Sequence, residues 1–276
     1  MKYKLIAFDL DGTFLDSEKH LIEENVQALQ RACKKGLYVV PATGRTWPGI
    51  PEQLRALPFI RYCITVNGAQ IYDRQQDRIL HREEIPAKRA LELMEFMDGV
   101  DALYDCYQDN AGWMSRRFYE RLEEYVTDPV LLPHVRRLRQ PVEELKDMIR
   151  QNGRSVQKMQ MHFRDMELRR KYLDLLPGLL PDMAVTSSLY NNIEINCLEA
   201  NKGAALERLC GILGVEREKS IAFGDDTNDM SMLRAAGMGV AMGNAKDIVK
   251  AAADMVTLTN DEAGLAKALE TLLAEE

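Results

Sequence analysis

Short apolar segments alternate with helical segments at both ends of this chain. The first apolar segment, Tyr3 to Leu10, is nearly continuous and is followed by Asp-Gly, which indicates a strand buried on both faces. A helix is predicted from about Ile22 to Lys35, and Leu37 to Val40 forms the next strand. This order is typical of a parallel sheet covered by helices. The sequence therefore predicts an α/β fold with a Rossmann-like parallel sheet at its core.

The same alternation continues in both end regions and breaks off in the middle. The remaining predicted elements are helices over about 48–56, 202–213, 228–236, 245–253 and 261–273, and strands over 62–66, 220–223, 239–242 and 255–257. The middle has more charged helices, and polar and apolar residues alternate from Gln157 to Phe163, which predicts a half-exposed strand in a sheet with one open face. We therefore expect a core domain of residues 1–83 and 189–276, interrupted by an inserted α/β domain over 84–188.

Charge and cysteine content limit the partners and the compartment. The chain has 36 basic and 43 acidic residues, a net charge of −7, which argues against a nucleic-acid partner. No segment approaches the roughly 18 uninterrupted apolar residues that a membrane span needs, and the charged N-terminus argues against a cleaved secretory signal. Five scattered cysteines without a C-x-x-C pair suit reduced thiols. We expect a cytoplasmic protein without a membrane or nucleic-acid partner.

Two carboxylates follow the first strand closely. In Asp9-Leu10-Asp11-Gly12-Thr13, the side chains of Asp9 and Asp11 point the same way, because they lie two residues apart on an extended backbone. They converge beyond the carboxyl edge of the sheet, where open α/β sheets bind ligands. Such close like charges repel unless a cation lies between them or one is protonated. The segment predicts a phosphate and metal site with Mg²⁺ as the simplest cation, or else a pair of solvated turn carboxylates.

Three more segments carry polar residues at the end of a predicted strand or at the start of a predicted helix. Residues 224–229 follow another apolar strand, and a cap for the next helix accounts for one of their acidic residues but not for three. Thr43-Gly44-Arg45 ends a strand with a hydroxyl and a backbone N–H that suit phosphate oxygens, unless it is a plain turn. Lys202 opens a predicted helix, where it adds positive charge to a bound phosphate or is simply solvated.

Taken in order, these four segments resemble the four motifs of haloacid dehalogenase-like phosphatases. The long insert is similar to the α/β cap of the type IIB, or Cof-type, subfamily. Phrases typical of that subfamily are Val66-Asn67-Gly68-Ala69, Asn201-Lys202-Gly203 and Gly239-Val240-Ala241-Met242-Gly243-Asn244-Ala245, although Cys197 stands where the family often has Pro. The resemblance implies a Mg²⁺-dependent phosphatase of small phosphorylated metabolites, with sugar phosphates as the expected substrates and the insert as a specificity cap.

The resemblance also implies a role for each motif residue. Asp9 would be the nucleophile that forms an aspartyl-phosphate, and Asp11 would protonate the leaving alcohol and then accept a proton from water. Mg²⁺ would be held by Asp9, the main-chain carbonyl of Asp11 and Asp225. The phosphoryl oxygens would be bound by the Leu10 amide, Thr43, Gly44, Lys202 and Asn228, while Asp229 orients Lys202. Expected substrate contacts are Arg45, Asn67, Lys158, Gln160 and His162.

The motifs leave other activities open. A phosphotransferase or phosphomutase of the same superfamily would use another alcohol in place of water. A non-catalytic sensor of a phosphorylated metabolite would bind the same ligand, although binding alone does not require both Asp9 and Asp11. The expected partner is a small phosphorylated metabolite, and the expected state is a monomer or a homodimer.

Overall fold

The computed structural model describes residues 2–274, which form two compact units. The first unit runs up to Arg82 and resumes at Asn201, and the second consists of Glu83–Ala200. Met1, Glu275 and Glu276, at the outer ends of the predicted core domain, lie outside the described residues. The second boundary falls after Ala200 rather than at 188/189, because the strand Asn192–Cys197 pairs within the sheet of the second unit.

The strands are short and lie in both units. In chain order they are β1 Leu5–Phe8, β2 Tyr38–Pro41, β3 Tyr62–Thr65, β4 Gln70–Asp73, β5 Arg78–Arg82, β6 Leu103–Gln108, β7 Ala111–Ser115, β8 Arg139–Val142, β9 Lys158–His162, β10 Met183–Thr186, β11 Asn192–Cys197, β12 Ser220–Gly224, β13 Met238–Ala241 and β14 Met255–Val256.

The helices range from single turns to nearly four turns. They are α1 Glu23–Lys34, α2 Glu52–Arg55, α3 Ala87–Met97, α4 Arg116–Tyr119, α5 Leu122–Tyr125, α6 Leu131–Arg137, α7 Leu145–Asn152, α8 Met166–Leu179, α9 Lys202–Leu213, α10 Met230–Ala235, α11 Asp247–Lys250 and α12 Gly264–Leu272. No described helix combines the length and the apolar composition that a membrane span requires.

A five-stranded parallel sheet in the order β14-β13-β12-β1-β2 organises the first unit. In β1, Ile6 and Phe8 are buried in one hydrophobic cluster, whereas Leu5 and Ala7 are buried in another. Because both faces of the strand are covered, β1 reads as a continuous apolar segment. The predicted α/β fold with a parallel core is confirmed. The strand order reverses between β1 and β12, so their carboxyl ends lie side by side at a topological switch point.

Two predicted elements of the first unit differ in the structure. Strand β3 was expected to extend the parallel sheet, but it forms a three-stranded antiparallel sheet with β4 and β5, and a single bridge between Ala42 and Ile64 joins it to the end of β2. Asn67-Gly68 is a turn sequence that lets the chain reverse there. The helix predicted over 48–56 is reduced to a 3₁₀ turn at Trp47–Gly49 and α2, because Pro51 lies between them and cannot donate a backbone N–H.

The second unit contains a six-stranded sheet in the order β10-β11-β9-β6-β7-β8. Its pairs are antiparallel except for β7 and β8, which run parallel. Apolar residues of α3, α7 and α8 belong to the same hydrophobic cluster as Tyr104, Cys106, Met159 and Met161 of the central strands. The unit therefore has a hydrophobic core of its own.

The opposite face of this sheet carries a buried polar network centred on Arg139. Arg139 on β8 donates hydrogen bonds to Asp105 at 2.8 Å, to the hydroxyl of Tyr107 at 2.8 Å and to Gln160 at 2.9 Å. The side chain crosses β7 at Gly112, where a Cβ atom would lie 2.8 Å from the Arg139 Cδ. The glycine therefore opens the path by which Arg139 reaches the central strands.

The network continues through β9 into β11. Lys158 and Gln160 each donate to Glu194 at 2.9 Å, and His162 Nε2 lies 3.0 Å from Asp105 Oδ2. Every residue of β9 is buried. The predicted half-exposed strand is therefore wrong, because the polar side chains on this face bond to one another.

Arg139→Ala should strongly destabilise the protein, because it leaves Asp105 buried without its arginine partner. We expect a loss of about 3–5 kcal/mol in the free energy of unfolding. The matched control is Arg150→Ala, which removes a half-exposed arginine paired with Asp147 at 2.9 Å and should cost less than about 1 kcal/mol. Urea titration followed by tryptophan fluorescence measures both. Equal losses for the two variants would contradict this interpretation of the network.

Candidate active site

The ends of three neighbouring strands of the first unit bring the motif residues together. Residue Phe8 of β1 is in register with Phe223 of β12 and with Pro41 of β2. The Asp9 amide donates to the Phe223 carbonyl at 3.0 Å, which holds the two strand ends side by side. The residues that follow these strands therefore meet at one edge of the sheet, as expected for carboxyl ends of parallel strands.

Lys202 lies between two acidic residues, Asp9 and Asp229. Its Nζ lies 2.5 Å from Asp9 Oδ1 and 2.6 Å from Asp229 Oδ1, and its side chain is fully buried. Burial lowers the pKa of Lys202, but the charges of Asp229 and Asp9 outweigh it and raise the pKa above its usual range. Lys202 is therefore a buried ammonium group held beside Asp9.

Asp229 fixes both Lys202 and the loop that precedes α10. Its Oδ1 accepts from Lys202, while its Oδ2 accepts from the backbone amides of Asp225 at 3.0 Å and Asp226 at 3.1 Å. Both oxygens of this fully buried carboxylate are thus engaged within the protein. The contact holds Asp229 against Lys202, and the role of Asp229 in orienting Lys202 stays a prediction.

Three carboxylates crowd into a small volume. Oxygen atoms of Asp9, Asp225 and Asp229 all lie within 4.8 Å of one another. Burial raises the pKa of Asp225 to about 7, with Asp229 as the largest neighbouring charge acting in the same direction. Burial also raises the pKa of Asp9 well above its usual range, and the neighbouring carboxylates add to this effect while Lys202 opposes it. A hard cation would relieve this repulsion, so the oxygen donor set fits Mg²⁺.

Asp11 has a different electrostatic environment. The Arg45 guanidinium donates to both of its oxygens, at 2.8 and 2.7 Å, and the Lys19 ammonium lies 3.1 Å from Oδ1. Burial raises the pKa of Asp11, but the hydrogen bonds and charge of Arg45 and the charge of Lys19 outweigh it and lower the pKa to about 2. The sequence predicted Arg45 as a substrate contact and gave no sign of this pairing with Asp11.

Gly12 and Thr13 bring the first motif against the fourth. The backbone of Gly12 has φ +83°, and a Cβ atom there would lie 2.3 Å from Asp225 Oδ2. The Thr13 hydroxyl donates to Asp225 Oδ1 at 2.8 Å, and the Asn244 amide donates to the Gly12 carbonyl at 2.8 Å. The predicted site residues include neither Thr13 nor Asn244, although Thr13 belongs to the first motif and Asn244 to the subfamily phrase at residues 239–245.

Three of the residues expected to bind phosphate, Thr43, Gly44 and Asn228, lie beside Asn67. Asn67 Oδ1 accepts from Asn228 Nδ2 at 3.3 Å, and a Cβ atom on Gly44 would lie 2.7 Å from the same oxygen. Thr43 lies on the adjacent loop, where its carbonyl accepts from the Asn67 amide at 3.0 Å. The Leu10 side chain is buried in the core, and the binding role of its amide stays a prediction.

The other three expected substrate contacts belong to the second unit. Lys158, Gln160 and His162 lie on β9 and take part in the buried network of that unit. Their contact with a substrate stays a prediction.

The chain is similar to one family of known proteins. A sequence model of the family described as haloacid dehalogenase-like hydrolase matches residues 6–269. The chain is 33% identical to the 5-amino-6-(5-phospho-D-ribitylamino)uracil phosphatase YcsE of Bacillus subtilis, covering 96% of this chain and 94% of that protein. It is 31% identical to the pyridoxal phosphate phosphatase YbhA of Escherichia coli, covering 97% of both. The solved structure of the subclass IIB sugar phosphatase BT4131 superposes with a TM-score of 0.81 at 25% identity, over 98% of each chain.

Gly12→Ala should destabilise the first unit through both strain and collision. The control is Gly36→Ala, because Gly36 has a similar φ of +89° but, apart from its chain neighbours, no atom of the described residues lies within 4 Å of its Cβ position. We expect the free energy of unfolding to fall by about 1 kcal/mol in the control and by about 2–3 kcal/mol in Gly12→Ala. The larger loss follows because the added methyl group also displaces Asp225. Urea denaturation measures the difference. Equal losses at the two positions would show that the contact between Gly12 and Asp225 has no energetic importance.

Proposed function

The chain belongs to the haloacid dehalogenase-like hydrolase family as a phosphoric monoester hydrolase, and we propose that it hydrolyses small phosphorylated metabolites through an aspartyl-phosphate on Asp9. The observation that carries this proposal is the contact of the Asp9 carboxylate with the buried Lys202 ammonium, beside Asp225. A nucleophilic carboxylate and a fixed positive charge at the same edge of the sheet are what transfer of a phosphoryl group requires.

The reaction proceeds in two half-reactions. In the first, an Asp9 oxygen attacks phosphorus, the ester P–O bond breaks, and Asp11 gives a proton to the leaving alcohol. In the second, a water oxygen attacks phosphorus, the bond between phosphorus and the Asp9 oxygen breaks, and Asp11 takes the proton from that water. Lys202 stabilises the negative charge that passes through the phosphoryl oxygens, with Thr43, Gly44 and Asn228 as further donors.

The pairing of Asp11 with Arg45 bears on the first half-reaction. Both oxygens of Asp11 accept from Arg45, which keeps the group a carboxylate, as the lowered pKa of about 2 indicates. A carboxylate in this form can accept a proton from water. To act as the acid, Asp11 has to separate from both Arg45 and Lys19 and carry a proton, so the proposed cycle includes this separation before the alcohol departs.

Mg²⁺ is the proposed cofactor. Asp9 and Asp225 are the carboxylates best placed to hold it, because both Asp229 oxygens already accept hydrogen bonds, and the main-chain carbonyl of Asp11 is the proposed third ligand. Bound there, the ion would screen the repulsion between an anionic nucleophile and an anionic phosphate.

The proposed substrates are sugar phosphates and related small phosphate monoesters. The names of the similar proteins support this class, since they describe a phosphorylated ribitylamino compound, pyridoxal phosphate and sugar phosphates. We place the protein in the cytoplasm as a monomer or a homodimer. The five cysteines are free thiols, of which Cys63, Cys106 and Cys210 are buried, which suits a reducing compartment.

Asp9→Asn should reduce phosphate release by several orders of magnitude while the protein stays folded, because an amide cannot replace the carboxylate nucleophile. A phosphate-release screen over a panel of phosphorylated metabolites identifies the substrate, and the variant is then compared on it. Asp261→Asn is the control, because it neutralises an exposed aspartate that binds Ser17. Undiminished turnover by Asp9→Asn, or product isomers without free phosphate from the unmodified enzyme, would refute the proposed hydrolysis.

Removal of divalent cations should abolish turnover, and Mg²⁺ should restore it. Asp225→Asn should raise the Mg²⁺ concentration needed for half-maximal activity at least tenfold, because a charged ligand is lost. Titration of Mg²⁺ into chelator-treated protein, followed by phosphate release, measures both effects. Full activity in excess chelator would overturn the metal requirement.

A further inference from the structure

The turn between β3 and β4 has an unusual backbone. Val66, Asn67 and Gly68 are consecutive residues with positive φ angles of 52°, 58° and 103°. Glycine adopts such angles readily and asparagine tolerates them, but a β-branched valine rarely does. A conformation of this kind is energetically costly for such a residue and persists only where the surrounding structure enforces it.

Contacts with two phosphate-site segments enforce this turn. The Val66 amide donates to the Arg45 carbonyl and the Asn67 amide donates to the Thr43 carbonyl, both at 3.0 Å. On its other side, a Cβ atom at Gly68 would lie 2.3 Å from the carbonyl oxygen of Asn201, which caps the helix that begins with Lys202. The strained turn is therefore fixed between the loop that follows β2 and the start of α9.

The turn places the side chain of Asn67 against residues of the second and fourth motifs. Asn67 is 5% exposed, and its Oδ1 accepts from Asn228 Nδ2 at 3.3 Å. Gly44 leaves the space for this carboxamide, because a Cβ atom there would lie 2.7 Å from the Asn67 Oδ1. The Asn67 side chain thus contacts the second and fourth motifs at once.

We propose that Asn67 is a positioning residue that determines which way the carboxamide of Asn228 faces. A carboxamide has one donating and one accepting end, and a half-turn exchanges them. With one Nδ2 hydrogen bound to Asn67, Asn228 keeps its second N–H for a phosphoryl oxygen. In the reversed orientation, Asn228 would present its own oxygen to the phosphate and repel it. This inference rests on the proposed function to the extent that Asn228 binds the phosphoryl group.

Two structural requirements explain why position 67 is an asparagine. The position needs a side-chain oxygen within reach of Asn228 and a backbone that tolerates φ 58°. Among residues with a side-chain acceptor, asparagine is one of the few that adopt the left-handed region readily. Asn67 therefore serves the site through another residue and need not contact the substrate itself.

Asn67→Gly separates the hydrogen bond from the backbone strain, since glycine suits the positive φ and only the carboxamide is lost. We expect the variant to be at least as stable as the wild type, with kcat/KM for p-nitrophenyl phosphate about 10- to 100-fold lower. Asn228→Ala should show a loss of the same order. The double variant should be no worse than Asn228→Ala alone, because Asn67 has nothing left to orient.

Orthovanadate binding gives a second readout that does not depend on turnover. Its affinity should fall in both single variants, and the two losses should again not multiply in the double variant. Asn110→Gly is the matched control, because Asn110 has φ 63° in the β6–β7 turn of the second unit. The control should keep activity and vanadate affinity within about twofold of the wild type.

Each outcome assigns the failure to one proposal. Wild-type activity in Asn67→Gly, or losses that multiply in the double variant, would overturn the positioning role and leave the phosphatase proposal intact. A fall in activity that matches a fall in the folded fraction would show a structural role only. A well-folded wild-type protein that neither releases phosphate nor binds vanadate would overturn the proposed function and this inference with it.

Discussion

The buried ammonium of Lys202, shared between Asp9 and Asp229, is the interaction on which the whole site depends. A lysine without solvent contact is costly to bury unless opposite charges lie beside it. Here the two carboxylates come from different parts of the chain, one after β1 and one before α10. Asp229 also binds the amide of Asp225, so compensation of one buried charge ties three chain segments to each other. The position of Asp225 relative to Asp9 is a consequence of that pairing.

The two carboxylates of the first motif lie in different electrostatic environments, which suit them to different chemical roles. Burial, with acidic side chains nearby, raises the pKa of Asp9, whereas the hydrogen bonds and charges of Arg45 and Lys19 outweigh burial at Asp11 and lower its pKa to about 2. Pairs of titratable groups with opposite shifts are typical of sites in which each group has a separate task. The same observation is a reason for the metal cation that we propose beside Asp9. An attacking carboxylate has to be ionised, whereas burial and the neighbouring carboxylates favour its protonated form and only part of this effect is opposed by Lys202.

The structural elements that the sequence predicted correctly are those determined by the local pattern of apolar, capping and turn residues. Helix α9 has the bounds that were expected, because Asn201 caps its start and Gly214 ends it with φ 65°. The motif residues follow strands whose continuous apolar character is plain in the sequence. The burial of β9 was missed because its alternation matches that of a half-exposed strand. Tertiary pairings, such as that of Lys158 with Glu194 36 residues away, distinguish the two cases. The contact between Arg45 and Asp11 was missed for the same reason, since side-chain partners depend on tertiary structure.

Close approach of backbone segments makes the compact arrangement of the four motifs possible. Gly12, Gly44 and Gly68 each lie where a Cβ atom would collide with a neighbouring segment, at Asp225, Asn67 and Asn201 respectively. Larger residues would push the loops apart, and short contacts such as that between Asn67 and Asn228 would be lost. The strain at residues 66–68 is tolerated because the hairpin of β3 and β4 anchors the turn on both sides. The geometry of the site is therefore established by backbone packing in the folded chain, and the acidic residues act within it.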